Sequence, residues 1–183
     1  MKTTLNAIRA HSPCAEGWKK LLQHLGKTEA DDAPLSIATV LDSNGLDDAI
    51  WCLRAITGYD RELRLFAVWC ARRVQHLNTD PRVEAALVAA EGFANGTVCS
   101  QQLDKAWCAA KEAARVAASS AACAAARTAA WAAVSVETIE VAIDASVLAV
   151  WTAIWTVGSA QERTAQATEL RRVCAEIDAG GAK

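Results

Sequence analysis

The chain has few residues that interrupt helices and few aromatic residues other than tryptophan. Among its 183 residues are three Pro, two Phe and one Tyr. β-branched residues do not form alternating apolar and polar runs, which are the usual mark of half-buried strands. These deficits argue against a β fold and favour helices.

The chain also lacks a strong charge of either sign. Nineteen Lys and Arg residues against 21 Asp and Glu residues give a formal net charge of −2, and the charge is spread evenly along the chain. A nucleic-acid-binding domain usually carries a basic excess, and a DNA mimic would be far more acidic. We therefore expect no nucleic acid as a partner.

Catalytic and metal-binding motifs are missing as well. The sequence has no Gly-rich phosphate loop, no GxSxG and no HExxH. None of its three His has a second His at metal-ligand spacing, and its seven Cys form no CxxC pair. We expect a protein that is not an enzyme and that binds neither a metal nor a cofactor.

No targeting segment stands out. The N-terminal residues MKTTLNAIRAHSPC contain no apolar signal region. Residues 141–158 are long enough to span a bilayer, but Asp144 and several hydroxyl side chains favour a buried helix of a bundle. An odd number of Cys within helical patterns suits a reducing compartment. We expect a cytoplasmic protein with no membrane association, whose thiols are free and packed as small core residues.

Apolar residues at helical spacing run through the chain, and Ala dominates its second half. Sixteen of the 28 residues from 106 to 133 are Ala, which form either one long helix or two helices broken near Ser119 and Ser120. The pattern predicts an all-α fold, a multi-helix bundle with long Ala-rich C-terminal helices. We divide it into an N-terminal helical subdomain, residues 1–98, and an Ala- and Trp-rich helical bundle, residues 99–183, packed as one unit. The main predicted helices are residues 13–25, 35–41, 46–56, 61–77, 81–94, 139–157 and 161–177.

The predicted helix 61–77 is apolar on two sides, which is typical of a central helix. One face carries Leu63, Phe66, Ala67, Cys70, Val74 and Leu77. The remaining positions form a basic set that is a candidate partner-binding surface. Alternatively, these side chains form structural salt bridges, for example to Asp47, Asp48, Asp60 or Glu62. The candidate residues are Arg61, Arg64, Arg72, Arg73 and His76.

Tryptophan is unusually frequent, with seven residues. Trp151 and Trp155 lie one helical turn apart, and Trp is enriched at the energetic centres of interfaces. We take these two as further candidates for partner binding. The alternative is that all seven pack as bulky side chains against Ala.

Three segments carry a family resemblance. They are GWKKLLQHLGKTEADDAPL (residues 17–35), SNGLDDAIWCLRAI (43–56) and RELRLFAVWCARRVQHLNTDPRVEAALVAAEGFANG (61–96). Together they resemble a family of small bacterial and prophage proteins that are described as immunity proteins of toxin systems. The resemblance covers about residues 13–135, and residues 136–183 match less clearly. It implies an all-helical protein that neutralises a target by occlusion.

The sequence thus favours a non-catalytic protein-binding inhibitor, of the immunity type or a phage counter-defence protein. Its expected partner is another protein, a toxin or a defence-system component, which it would block sterically. The alternative is a homo-oligomeric helical scaffold, in its simplest form a homodimer, joined through the Ala-rich helices with Trp151 and Trp155. An enzyme whose site the sequence does not reveal is a third alternative.

Overall fold

The computed structural model describes residues 1–117, 119–132 and 160–180. In this part of the chain, helices make up almost all regular structure, which confirms the predicted all-α fold. A two-stranded antiparallel sheet is the one addition among the described residues. The strands are β1 (Lys2–Thr3) and β2 (Leu35–Ser36), and the helices are α1 (Leu5–Ala10), α2 (Ala15–Leu25), α3 (Ile37–Asn44), α4 (Leu46–Cys52), α5 (Asp60–Val74), α6 (Pro81–Ala94), α7 (Ser100–Arg115), α8 (Ser120–Ala132) and α9 (Ala160–Gly180).

Local sequence signals set several helix ends. The Thr4 hydroxyl accepts a hydrogen bond from the backbone N–H of Ala7 at 3.1 Å, which begins α1. The Asp80 carboxylate accepts one from the N–H of Arg82 at 2.9 Å, which begins α6. These short polar side chains satisfy backbone donors that have no partner within the helix. Gly26 ends α2 with φ of 64°, a left-handed conformation that favours glycine.

The predicted helix 35–41 is wrong at its start. Leu35 and Ser36 are extended and pair with Thr3 and Lys2. The Ser36 hydroxyl then caps α3, because it accepts from the backbone N–H of Ala38 at 3.2 Å. A capping residue has extended backbone angles, so the same serine can end a strand and begin a helix.

The Ala-rich segment forms two helices. α7 ends at Arg115, and α8 begins at Ser120. The Ser119 hydroxyl accepts from the backbone N–H of Ala122 at 3.1 Å, so this serine caps the second helix. The structure therefore takes the second of the two alternatives left by the sequence.

The chain divides into two compact units. One consists of Met1–Tyr59 with Arg163–Lys183, and the other is Asp60–Glu162, so residues 98 and 99 both lie in the second. Within the first unit, large aliphatic side chains from α1, α3, α4 and α9 are buried. Examples are Ile8, Ile37, Ile50 and Leu170.

The core of the second unit is formed by α5, α6, α7 and α8. Few of its side chains are large, because most positions where helices meet are alanine. Helices with alanine at their contacts can approach each other closely, towards axis separations of about 8 Å. The core residues include Ala67, Ala71, Ala86, Leu87, Ala90, Leu103, Ala110, Ala113, Ala126 and Ala129.

Candidate functional site

Four arginines of α5 lie beside its buried apolar face. We call them the arginine face of α5, and they are Arg61, Arg64, Arg72 and Arg73. Five of the six residues predicted on that face are buried in α5, namely Leu63, Phe66, Ala67, Cys70 and Val74. The sixth, Leu77, lies beyond the end of the helix in a 3-10 turn and is only partly buried. Helical periodicity therefore places the arginines around the edges of the contact with the neighbouring helices.

Arg72 is held by two glutamates of α6. Its Nε and Nη2 donate to the two carboxylate oxygens of Glu91, each at 2.9 Å. Its Nη1 lies 3.3 Å from Glu84. The hydrogen bonds that Arg72 donates to Glu91 raise the pKa of this arginine, and such a planar two-point contact is specific to arginine. The charge of Arg72 is therefore balanced within the second unit.

Arg73 is paired with the first turn of α9. Its Nε lies 2.6 Å and 2.8 Å from the two oxygens of Glu162, whose side chain is only 6% exposed. The guanidinium also lies over the ring of Trp69, 5.0 Å from the centroid. The hydrogen bond that Arg73 donates to Glu162 raises the pKa of this arginine. This arginine therefore serves first as the counter-charge of a buried carboxylate.

Arg64 is half-buried and binds the backbone. Its Nη1 donates to the carbonyl of Ala132 at 3.0 Å. The guanidinium lies 4.9 Å from the centroid of the Phe93 ring. Burial lowers the pKa of Arg64, and the contact with a carbonyl dipole and an aromatic face is a common way to accommodate a half-buried guanidinium.

The remaining two candidates are exposed and far apart. Arg61 donates from Nη2 to Asn95 at 2.8 Å and lies 3.5 Å from Glu62. His76 is exposed in a short 3-10 helix, Gln75–Leu77, beyond the other end of α5. Since α5 has 15 residues, about 22 Å of helix separates the two ends. The structure does not bring the five basic residues together in one patch.

The ion pairs of α5 differ from those expected. Four acids were named as candidate partners. Among the described residues, Glu62 is the one of these four that lies within ion-pair distance of an α5 arginine. Asp47, another of the four, pairs with Arg163 in the first unit. The main partners, Glu84, Glu91 and Glu162, were missed because they come from helices whose positions the sequence does not give.

The tryptophan candidates Trp151 and Trp155 lie outside the described residues. Their proposed role in partner binding stays a prediction. The apolar segment 141–158 also lies outside. Across the described part of the chain, no helix has both the length and the apolar character needed to cross a bilayer.

A hollow of about 280 Å³ lies between α7 and α8. We call it the α7–α8 hollow. Its lining among the described residues is mostly apolar, with a cationic side chain from each helix. Lys111 lies over the ring of Trp107, with Nζ 4.3 Å from the centroid. The lining residues are Trp107, Lys111, Ala114, Arg127 and Ala130.

A second, more open hollow lies in the first unit, with a volume of about 670 Å³. It is formed by the turn between α1 and α2 and by the loop after α2. Arg9 and Glu29 both line it, so it offers no net charge to a ligand, and its one large apolar side chain is Trp18.

The prediction that the cysteines are small core residues is wrong for three of them. Cys14, Cys99 and Cys108 are exposed, and so are not small core residues. Cys14 and Cys99 are N-terminal caps of α2 and α7, where the chain enters a helix from solvent. Cys52 is buried, and desolvation raises the pKa of its thiol to about 12. All seven are free thiols, and no group of three or more potential ligands is arranged for a metal within the described ranges.

The comparisons with known proteins give one match. A family model described as "Imm-5 like putative immunity protein" matches residues 59–179, which is more than half of the chain. No curated protein matches the chain. No solved structure matches it.

The matched region differs from the extent of the resemblance seen in the sequence. It begins at Tyr59, so residues 17–35 and 43–56 lie outside it. It continues past residue 136 into the part that resembled the family less clearly, and it includes the arginine face of α5, α6, α7, α8 and nearly all of α9. The chain therefore belongs to the Imm-5 like immunity protein family.

Proposed function

We propose that the protein is a non-catalytic inhibitor that binds a toxin or a component of a defence system and blocks it sterically. The observation that carries this proposal is the family match over residues 59–179, since an immunity protein has an inhibitor-type role. The partner is a protein, and a macromolecular partner can be blocked by occlusion without any chemical step.

The packing of the second unit supports this mechanism. α5, α6 and the first turn of α9 are joined by the ion pairs of Arg72 and Arg73, and α5 to α8 share one alanine-rich core. A surface that is rigid before binding loses little conformational entropy when it meets a partner. Such a surface suits tight, preformed occlusion.

We place the protein in the cytoplasm. All seven cysteines are free thiols, and three of them are exposed. Exposed thiols persist in a reducing compartment, whereas an oxidising compartment would favour their pairing. An inhibitor in this compartment meets a toxin or defence component where it acts inside the cell.

The test uses the full chain and the proteins encoded beside its gene. Each neighbour is co-expressed with the chain in a bacterium, and growth, complex stoichiometry and partner mass are measured. We expect one neighbour to be toxic alone, to be neutralised by the chain, and to form a 1:1 complex with it. A toxin gene as neighbour indicates immunity, whereas a phage early operon indicates counter-defence.

Two outcomes would contradict the proposal. The first is a partner whose mass changes on contact with catalytic amounts of the chain, which would indicate an enzyme. The second is a chain that neutralises no neighbour and elutes as a multimer by itself, which would indicate the scaffold alternative.

A further inference from the structure

The α7–α8 hollow is formed by one face of each helix. Trp107, Lys111 and Ala114 follow one another at spacings of four and three along α7, so they share a face. Arg127 and Ala130 share a face of α8 for the same reason. The two faces meet because α7 and α8 pack against each other in the core of the second unit.

Alanine gives the hollow its depth. Ala114 and Ala130 are 7% and 4% exposed, and each projects only a methyl group. A larger side chain at either position would fill the space, whereas the ring of Trp107 forms a wall beside it. The result is a hollow of about 280 Å³ with an apolar floor. This volume is slightly below the roughly 300–1,000 Å³ of pockets that hold drug-sized ligands, and it suits an amino-acid side chain.

Neither cation at the hollow has an acidic partner in the part of the chain that the structure describes. Lys111 and Arg127 are exposed, and neither forms an ion pair with a described residue. Other arginines of the second unit behave differently, since Arg72, Arg73 and Arg115 each pair with a glutamate. A positive rim around an apolar floor is thus a local feature of a chain whose net charge is −2.

We propose that the α7–α8 hollow is a docking site for an acidic segment of the partner protein, with a large apolar side chain inserted between Asp or Glu residues. The apolar side chain would displace water from the alanine floor and contact Trp107. The flanking carboxylates would lie against Lys111 and Arg127. Such an anchor in a pocket with a charged rim is a common energetic centre of protein interfaces. The proposal rests on the proposed protein-binding function and adds a surface and a partner chemistry to it.

The charge balance favours a protein over a nucleic acid. Two cations and a tryptophan could also hold a phosphate and a base, but nucleic-acid sites normally extend along a basic surface. The chain has 19 basic against 21 acidic side chains, and Glu112 lies on α7 next to Lys111. An acidic peptide needs only the two local cations.

The experiment selects peptides from a displayed random library on the immobilised full chain. The enriched peptides are synthesised, and their affinity is measured by fluorescence polarisation with wild type, Lys111→Glu and Arg127→Glu. We expect peptides with a Phe, Leu, Ile or Trp beside Asp or Glu. Each charge reversal should weaken binding about tenfold or more, because an attraction becomes a repulsion. Binding should also weaken as NaCl is raised.

Lys105→Glu is the matched control. Lys105 is exposed on the same helix and undergoes the same charge change. It lies six residues before Lys111, which is about 240° around the helix. This variant should bind the peptides within twofold of wild type. Circular dichroism and thermal melting of all variants show whether the fold is kept, and weakened binding supports the proposal only in variants that keep it.

Other outcomes also overturn it. These are no enrichment over the empty support, enrichment without acidic residues, or equal binding by Lys111→Glu. Binding of a single-stranded oligonucleotide that is lost in Lys111→Glu would assign the hollow to nucleic acid. A dimer of the free chain that dissociates in Lys111→Glu would assign it to a second copy.

The proposed function and the docking site can fail separately. If Lys111→Glu neutralises the toxic neighbour as well as wild type does, the docking site is wrong and the inhibitor function stands. If wild type selects acidic peptides but neutralises no neighbour, the docking site stands and the inhibitor function is wrong.

Discussion

Arg73 and Glu162 are 89 positions apart in the chain, yet Nε of the arginine lies 2.6 Å from Oε1 of the glutamate. The glutamate is nearly buried and the arginine is 37% exposed. A carboxylate loses much of its hydration on burial, so it needs a nearby cation. The pair therefore ties α5 to the first turn of α9 within the second unit.

Arg73→Ala should destabilise the protein. The substitution removes a cation from beside a buried carboxylate, which costs roughly 1–3 kcal/mol. We expect the lower part of this range, since water reaches the exposed part of Arg73 and screens the pair. Urea unfolding followed by circular dichroism measures the change in the free energy of unfolding.

Arg115→Ala is the control for this pair. Arg115 lies 2.6 Å from Glu112, but the two side chains are 72% and 47% exposed. Exposed pairs contribute about 0–1 kcal/mol, so this variant should unfold close to wild type. Equal losses for the two arginines would contradict the role given to the burial of Glu162.

Gly92→Ala should destabilise α6 even though alanine is the better helix former. A Cβ at Gly92 would overlap deeply with Cγ2 of Val98. The following turn cannot move away freely, because the Thr97 N–H donates to the carbonyl of Gly92 at 2.8 Å. Overpacking costs about 1–3 kcal/mol, and an overlap this deep belongs in the upper part of that range, above the gain of roughly 1 kcal/mol from helix propensity. Thermal melting should show a lower Tm.

Gly180→Ala makes the same chemical change without the clash. Nothing lies within 4 Å of a Cβ at Gly180, so the substitution should leave the Tm unchanged or raise it slightly. If Gly92→Ala also raised the Tm, the close approach of Val98 would not limit that position.

Asp80 should give the protein a measurable dependence on acid. The hydrogen bonds from the side chain and backbone of Arg82 lower the pKa of this carboxyl from 3.8 to about 2. A lowered pKa in the folded state means that folding stabilises the ionised carboxylate relative to the protonated carboxyl. The stabilisation is therefore complete above about pH 4 and is lost as the pH falls through about 2.

Asp80→Asn tests this dependence, because asparagine caps helices as well as aspartate does but carries no charge. The Tm of wild type should exceed that of the variant at pH 6, and the difference should shrink between pH 4 and pH 2. A difference that is constant over this range would mean that the charge of Asp80 is not the cause.

The sequence was sufficient for most helices because their signals are local. The apolar face of α5, the cap at Asp80 and the glycine at residue 26 each depend on residues within one or two turns. Leu35 and Ser36 show the limit. Their pairing with Lys2 and Thr3 joins residues more than 30 positions apart, and nothing in the segment itself distinguishes a two-residue strand from the first turn of a helix.

The candidate site was less predictable, because it depends on which helices meet. The arginines of α5 were identified from the sequence, but their partners on α6 and α9 follow from tertiary packing. The same is true of the α7–α8 hollow. The alanine pairs indicated close helix packing, whereas the meeting of Lys111 and Arg127 across one hollow depends on where the two helices face each other.

The cysteines should fall into classes of reactivity that follow their exposure. Cys14, Cys99 and Cys108 are exposed, whereas Cys52, Cys70 and Cys174 are buried. Burial raises the pKa of Cys52 to about 12 and also raises that of Cys174, so these thiols hold little reactive thiolate at neutral pH.

Iodoacetamide labelling followed by mass spectrometry should modify the exposed group first. The buried group should react at least about 100-fold more slowly, at a rate set by opening of the fold. Urea at a concentration that unfolds the chain should make all seven equal, and early labelling of Cys52 in the native protein would contradict its burial.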